Sequence, residues 1–166
     1  MISPRHASLR QLLDHWLRLK GDRSRPRKRE FDPVDLPPRV LPRLFLIEFL
    51  EGAGNYRLRL MGTYLRDTYG REFTWCHLVD EEMPGVTKSD TYQLLGVMAR
   101  TGEPQYSLGP TRFRFFDTYS LVEQVLLPLA DDEGQLGFAI GAVDYPDMRK
   151  GIGASYLPLL TQLLGT

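Results

Sequence analysis

The chain has 166 residues, 42% of them hydrophobic and 25% charged, with a formal net charge of zero. That is the profile of one ordinary globular domain, long enough to build its core without a metal or a disulfide. A single cysteine, Cys76, excludes an internal disulfide framework and a zinc site made mainly of thiolates, and no apolar run reaches the roughly 18 residues that a membrane span needs.

Chain order begins with a charge split. Residues 1–30 hold nine basic and three acidic groups, so the remainder offsets a local balance of +6. The start carries no apolar secretory core, and the expected address is the cytoplasm. Ser3 and Pro4 predict a helix start, a hydroxyl cap before a residue whose missing N–H would be unpaired there anyway. Leu9, Leu12, Leu13, Trp16 and Leu17 recur at helical spacing. Such a stripe packs either on the domain that follows or on the same helix of a second copy. Leu9, Leu12, Leu13 and Trp16 are therefore the candidate dimer or partner contact. Gly21 offers the left-handed stop.

Residues 22–43 read as a strap. Pro26, Pro33, Pro37, Pro38 and Pro42 fix φ and remove donors, so no regular ladder is expected. Phe31, Val34, Leu36, Val40 and Leu41 are too apolar for a free tether. The basic stretch Arg23, Arg25, Arg27, Lys28 and Arg29 is expected to lie exposed. Solvation alone accounts for such charges; the alternative is an adaptor contact with an acidic partner, nucleic acid or an anionic membrane.

From residue 44 the pattern becomes strands. RLFLIEFLE and YRLRLMG flank a Gly-Ala-Gly-Asn turn, an antiparallel hairpin in which Tyr56, Leu58 and Leu60 alternate with Arg57 and Arg59. Short helical patches occupy residues 63–86, and a second amphipathic helix is expected over 88–101, stopped by Gly102. Strands follow at about 105–115, 119–129 and 135–144, the last two joined by Asp131-Asp132-Glu133-Gly134. Pro128 inside the fourth strand predicts a bulge or an unpaired donor at that point. A terminal helix is expected over 154–164. The sum is an α+β domain with one five-stranded antiparallel sheet, helices on one face, an N-terminal amphipathic helix and a C-terminal helix. The expected division is 1–21, 22–43, 44–145 and 146–166.

Five phrases in this order resemble a PAS domain: LDHWLRLKGDR, FDPVDLPPRVLPRLFLIE, YRLRLMGTYLRDTYGREFT, ARTGEP and LLPLADDEGQ. The likeness spans about residues 9–145 and is greatest to small stand-alone bacterial PAS proteins common in alphaproteobacteria. The resemblance implies a five-stranded antiparallel sheet, a ligand-sized cavity and work as a sensor or interaction module. It implies no chemistry, because a fold carries no site.

The chemistry-bearing residues give little. Cys76 in EFTWCHL lies near where flavin-binding photosensory PAS domains carry their reactive cysteine, but the Asn-Cys-Arg-Phe-Leu-Gln phrase is missing, and a buried structural thiol is the commoner reading. Haem-binding PAS domains take a histidine from the long helix; residues 88–101 contain none, and His6, His15 and His77 read as structural or surface groups. Hydrolase, zinc-protease and P-loop motifs are absent. Asp80-Glu81-Glu82 and Asp131-Asp132-Glu133 read as solvated turns. Arg25-x-x-x-Arg29 matches half of a PilZ-type cyclic-di-GMP motif without its companion. Nucleic acid is disfavoured, since no aromatics interleave with the strap's cations. No catalytic residue, metal site or cofactor is expected. The remaining site is a pocket between sheet and helices, with candidate lining Tyr56, Leu58, Leu60, Tyr92, Leu95, Phe113, Phe115, Gln124 and Phe138. The expected function is non-catalytic: a bacterial signalling module that takes a small ligand or partner and reports through its N-terminal helix, with a homodimer or signalling protein as partner.

Overall fold

The structure, a computed structural model, describes residues 2–110 and 121–146. In chain order these form α1 (Ala7–Lys20), β1 (Leu44–Phe49), β2 (Tyr56–Met61), α2 (Thr63–Tyr69), α3 (Asp90–Thr101), β3 (Gln105–Pro110), β4 (Leu121–Ala130) and β5 (Leu136–Asp144). Short 3-10 turns at Lys28–Glu30, Pro33–Asp35 and Leu41–Arg43 carry the strap. The expected C-terminal helix lies outside the described residues, as does the far end of the third strand.

The strands pair antiparallel in the order β2-β1-β5-β4-β3. Because side chains alternate across a strand, the sheet offers two faces. Phe45, Ile47, Tyr56, Leu58, Val122, Leu126, Ala139 and Val143 point to one of them, where Leu65 of α2, Leu95 and Met98 of α3 and the connecting segment's Phe73, Leu78, Met83 and Val86 pack. Leu44, Val125, Leu127, Leu129, Ile140 and Ala142 point to the other, covered by α1 and by Leu36 and Val40 of the strap. Every residue of β4 is buried. That burial on both faces explains why LVEQVLLPLA reads as a nearly continuous apolar run.

The stripe on α1 is occupied by this sheet. Leu9 and Leu12 are fully buried, with Leu13 and Trp16 nearly so, so the side chains expected to meet a partner or second copy instead meet β4 and β5 of their own chain. Leu17, expected in the stripe, is 45% exposed. The helix also starts later than Ser3 and Pro4 predict. The amides of Arg5 and His6 donate to the Glu123 carboxylate at 2.6 and 2.8 Å, which holds this stretch out of the helix. His6 is the cap, its Nδ1 accepting from the Ser8 amide at 3.1 Å.

Pro128 sits where β4 has lost its β3 neighbour, and the register with β5 shifts just after it, between Leu129 and Ala130. β3 accompanies β4 only as far as the Gln105–Leu126 pair; beyond it the strap takes over, with the Ala130 amide donating to the Pro26 carbonyl at 2.9 Å. Pro128, two residues earlier, faces the same side, and its carbonyl accepts the Trp16 indole N–H at 2.9 Å.

Burial, then Arg18, lowers the His15 pKa, with Asp35 opposing. His6 is lowered as well, chiefly by burial. An imidazole below its ordinary value of about 6.5 protonates first in the unfolded chain, so its contribution is full above that pH and drains as pH falls. The expected result is a urea midpoint that is flat from pH 8 to 7 and declines toward pH 5, with His15→Gln showing a shallower decline.

Candidate functional site

Between the inner face of the sheet and α2, α3 and their connecting segment lies a cavity with about 70 Å³ of room for water centres. At 10–15 Å³ each, that is space for roughly half a dozen waters. Its walls are mainly apolar, among them Phe45, Ile47, Leu58, Met61 and Val143, and its polar atoms come from Tyr69, Ser89, Asp90, Thr91, Gln124 and Tyr145. Small residues on β5 make the space: Phe45 lies opposite Gly141, and a methyl added there would run into the Phe45 ring.

Three elements bring the polar groups together. Ser89 caps α3, accepting from the Tyr92 amide at 3.2 Å, which places Asp90 and Thr91 in the first turn, at the cavity wall. Thr91 Oγ1 donates to Gln124 Oε1 at 2.7 Å. Tyr145, just past β5, shares a short hydroxyl hydrogen bond with Tyr69 at the end of α2, while its amide donates to the Tyr64 hydroxyl at 3.0 Å. Burial pushes the Tyr69 phenol up to about 12 and Tyr145 well above its ordinary value, so both stay protonated at any physiological pH.

Two of the nine expected lining residues, Leu58 and Gln124, line this cavity. Tyr56 and Leu95 join the same core cluster away from the cavity. Tyr92 packs against that cluster, its hydroxyl reaching the Gly54 carbonyl at 3.4 Å. Leu60 and Phe138 lie on the opposite face, against the α1 cluster. For Leu60 the cause is a bulge: Leu46 pairs with Leu60 but Ile47 with Leu58, so the extra residue Arg59 reverses the alternation and Met61 takes the inward place. Phe138 shares its face with Ile140 and Ala142, where the Lys28 ammonium lies 5.6 Å from its ring. Phe113 and Phe115 lie outside the described residues.

On the outer face, directly behind the cavity, a second polar cluster fixes the N-terminus. Glu123 is fully buried and accepts from the Arg5 and His6 amides and from the Tyr106 hydroxyl, the last at 2.5 Å. Its cross-strand neighbour Asp144 pairs with Arg43 at 2.7 Å, whose guanidinium stacks 4.0 Å over the Tyr64 ring. The strap cations are partly committed: Arg23 grips Glu30 and the Leu19 carbonyl, and Arg25 lies against Gly102 at the end of α3, where a positive charge meets the helix's negative pole.

The PAS domain family model matches residues 4–143. The chain belongs to the PAS domain family. Among solved structures, the PAS domain of BvgS from Bordetella pertussis is similar with a TM-score of 0.49 at 16% identity, covering 92% of this chain and 96% of that one. A light-oxygen-voltage domain studied with a flavin analogue gives 0.47 at 10% identity, covering 75% and 90%. A sensory box histidine kinase/response regulator from Burkholderia thailandensis gives 0.39 at 16% identity, covering 72% and 86%. No curated protein matches.

In this PAS domain the cysteine and histidine that could engage a cofactor stand apart from the cavity. Cys76 is half-buried against the core, its carbonyl accepting from Leu58 at the outer edge of β2, and His77 pairs with Glu82 at 3.4 Å. Neither a cysteine nor a histidine is among the described lining residues. No helix among the described residues is long and apolar enough to cross a membrane.

Proposed function

We propose that this PAS domain is a non-catalytic sensory module whose cavity receives a small ligand and whose N-terminal helix passes the change to a partner or a second copy. One observation carries the reading. On β4, Gln124 lines the cavity while its neighbour Glu123, pointing the other way, holds the start of α1. On β5, Val143 and Asp144 repeat the arrangement, with Asp144 on the Arg43 side. A displacement of either strand end by an occupant acts on both faces at once, since alternate side chains share one backbone. Against catalysis stands the lining chemistry: among the described lining residues no histidine, lysine, cysteine or second carboxylate accompanies Asp90 to form an acid–base pair, and the two phenols are held protonated by burial.

The test fills the cavity from within. Gly141→Ala drives the Phe45 ring off the sheet into the space, and Val143→Phe occupies it directly. In hydrogen exchange, the amides of residues 9–17 are expected to lose or gain at least about threefold protection beyond the change in global stability. Exchange in α1 that merely tracks global stability in both variants would separate the cavity from the helix and overturn the reading.

A further inference from the structure

The chemistry of the cavity walls narrows the class of occupant, given that the cavity is the sensing site proposed for this domain. Gln124 is 1% exposed and, among the described residues, its side chain makes one hydrogen bond, with Thr91. A carboxamide has a donor head and an acceptor head. Whichever of them faces Thr91, the other has no partner among the described residues, although it belongs to a wall of the cavity. A polar head on a cavity wall gains a hydrogen bond from whatever polar group enters the space.

The charge of the occupant is set by the rest of the lining. Lysine, arginine and histidine are missing from the described lining residues, so no side chain among them balances an anion, and Asp90 repels one. The phenols of Tyr69 and Tyr145 stay neutral and add no negative charge to hold a cation. Asp90 is itself engaged within the protein and stands in the first turn of α3, where the helix's positive pole already balances a carboxylate. A bare charge moved into such a space loses its hydration without recovering it. The remaining described walls are hydrocarbon apart from Ser89, whose hydroxyl is already engaged with the Val86 carbonyl and the Tyr92 amide.

We infer that the cavity takes a small uncharged molecule with a mainly hydrocarbon body and one hydrogen-bonding head, such as a carbonyl, hydroxyl or amide, that pairs with Gln124.

Three probes of one shape and different charge test this on the full chain: benzamide, benzoate and benzamidinium, with toluene as a headless control. Binding is read at pH 7.5 from amide shifts in nitrogen-15 spectra. Benzamide is expected to bind at least about tenfold more tightly than either ion, moving the signals of Thr91 and Gln124. Gln124→Leu is expected to weaken benzamide by about tenfold while leaving toluene unchanged, the size of one buried hydrogen bond. Tightest binding by benzoate or benzamidinium would overturn the ligand class and leave the cavity as a sensing site. If none of the four probes, toluene included, moves a cavity signal, the inference and the sensing reading fall together. Should Gln124→Leu not fold, the three-probe comparison on the unaltered protein decides the matter alone.

Discussion

Trp16→Ala is expected to lower the unfolding free energy by about 3–5 kcal/mol, the range for removing a large buried aromatic side chain. Trp16 is 2% exposed, sits in the cluster with Leu9, Leu12, Val125 and Leu129, and gives its indole N–H to the Pro128 carbonyl. Trp16→Phe keeps most of the apolar volume but leaves that carbonyl without its donor, so its expected loss is about 1–3 kcal/mol. Urea unfolding measures both. The midpoint should fall while the slope stays constant, since the extent of surface exposed on unfolding is nearly unchanged. A loss under about 1 kcal/mol for the alanine variant would mean that α1 is not docked on the sheet as described.

Glu123→Ala is the second large effect, with an expected loss of about 3 kcal/mol or more. The substitution leaves the Arg5 and His6 amides and the Tyr106 hydroxyl without their acceptor in a buried place, and each stranded group carries about 1–3 kcal/mol of desolvation, reduced where water reaches it. Glu123→Gln keeps an acceptor oxygen and should recover part of the loss. Because Glu123 and Trp16 fasten the same helix at different points, the double variant Trp16→Phe, Glu123→Gln is expected to lose less than the sum of the singles, by about 0.5 kcal/mol or more. Strict additivity would mean that the two anchors act on α1 independently.

Much of the fold is legible in the sequence. The turns at Gly52-Ala53-Gly54-Asn55 and Asp131-Asp132-Glu133-Gly134 announce the β1–β2 and β4–β5 hairpins, and Gly102 marks the end of α3, where it adopts φ 70°. The stripe on α1 is equally plain, but a stripe says that a face is buried and not against what. The differences between the expected and the observed cavity lining have physical causes. Alternation in YRLRLM assigns Leu60 to the inner face because it assumes an unbroken register, and the bulge at Arg59 is a property of the pairing with β1. In LGFAIGAVD both faces are buried and one polar residue, Asp144 at its very end, makes no alternation, so the bulk of Phe138 stands out in that run more than the small residues that leave room for Phe45. Tyr69, Asp90, Thr91 and Tyr145 sit at element ends, where periodicity is silent and only tertiary packing assembles them.

The position of α1 has a practical consequence for anyone who shortens this protein. A fragment beginning at residue 22 would turn Val125, Leu127, Leu129 and Ile140 into a greasy wall facing water, beside a carboxylate, Glu123, stripped of its main-chain donors. Such fragments would clump or pair through that wall, and their self-association would be a product of the scissors rather than of biology.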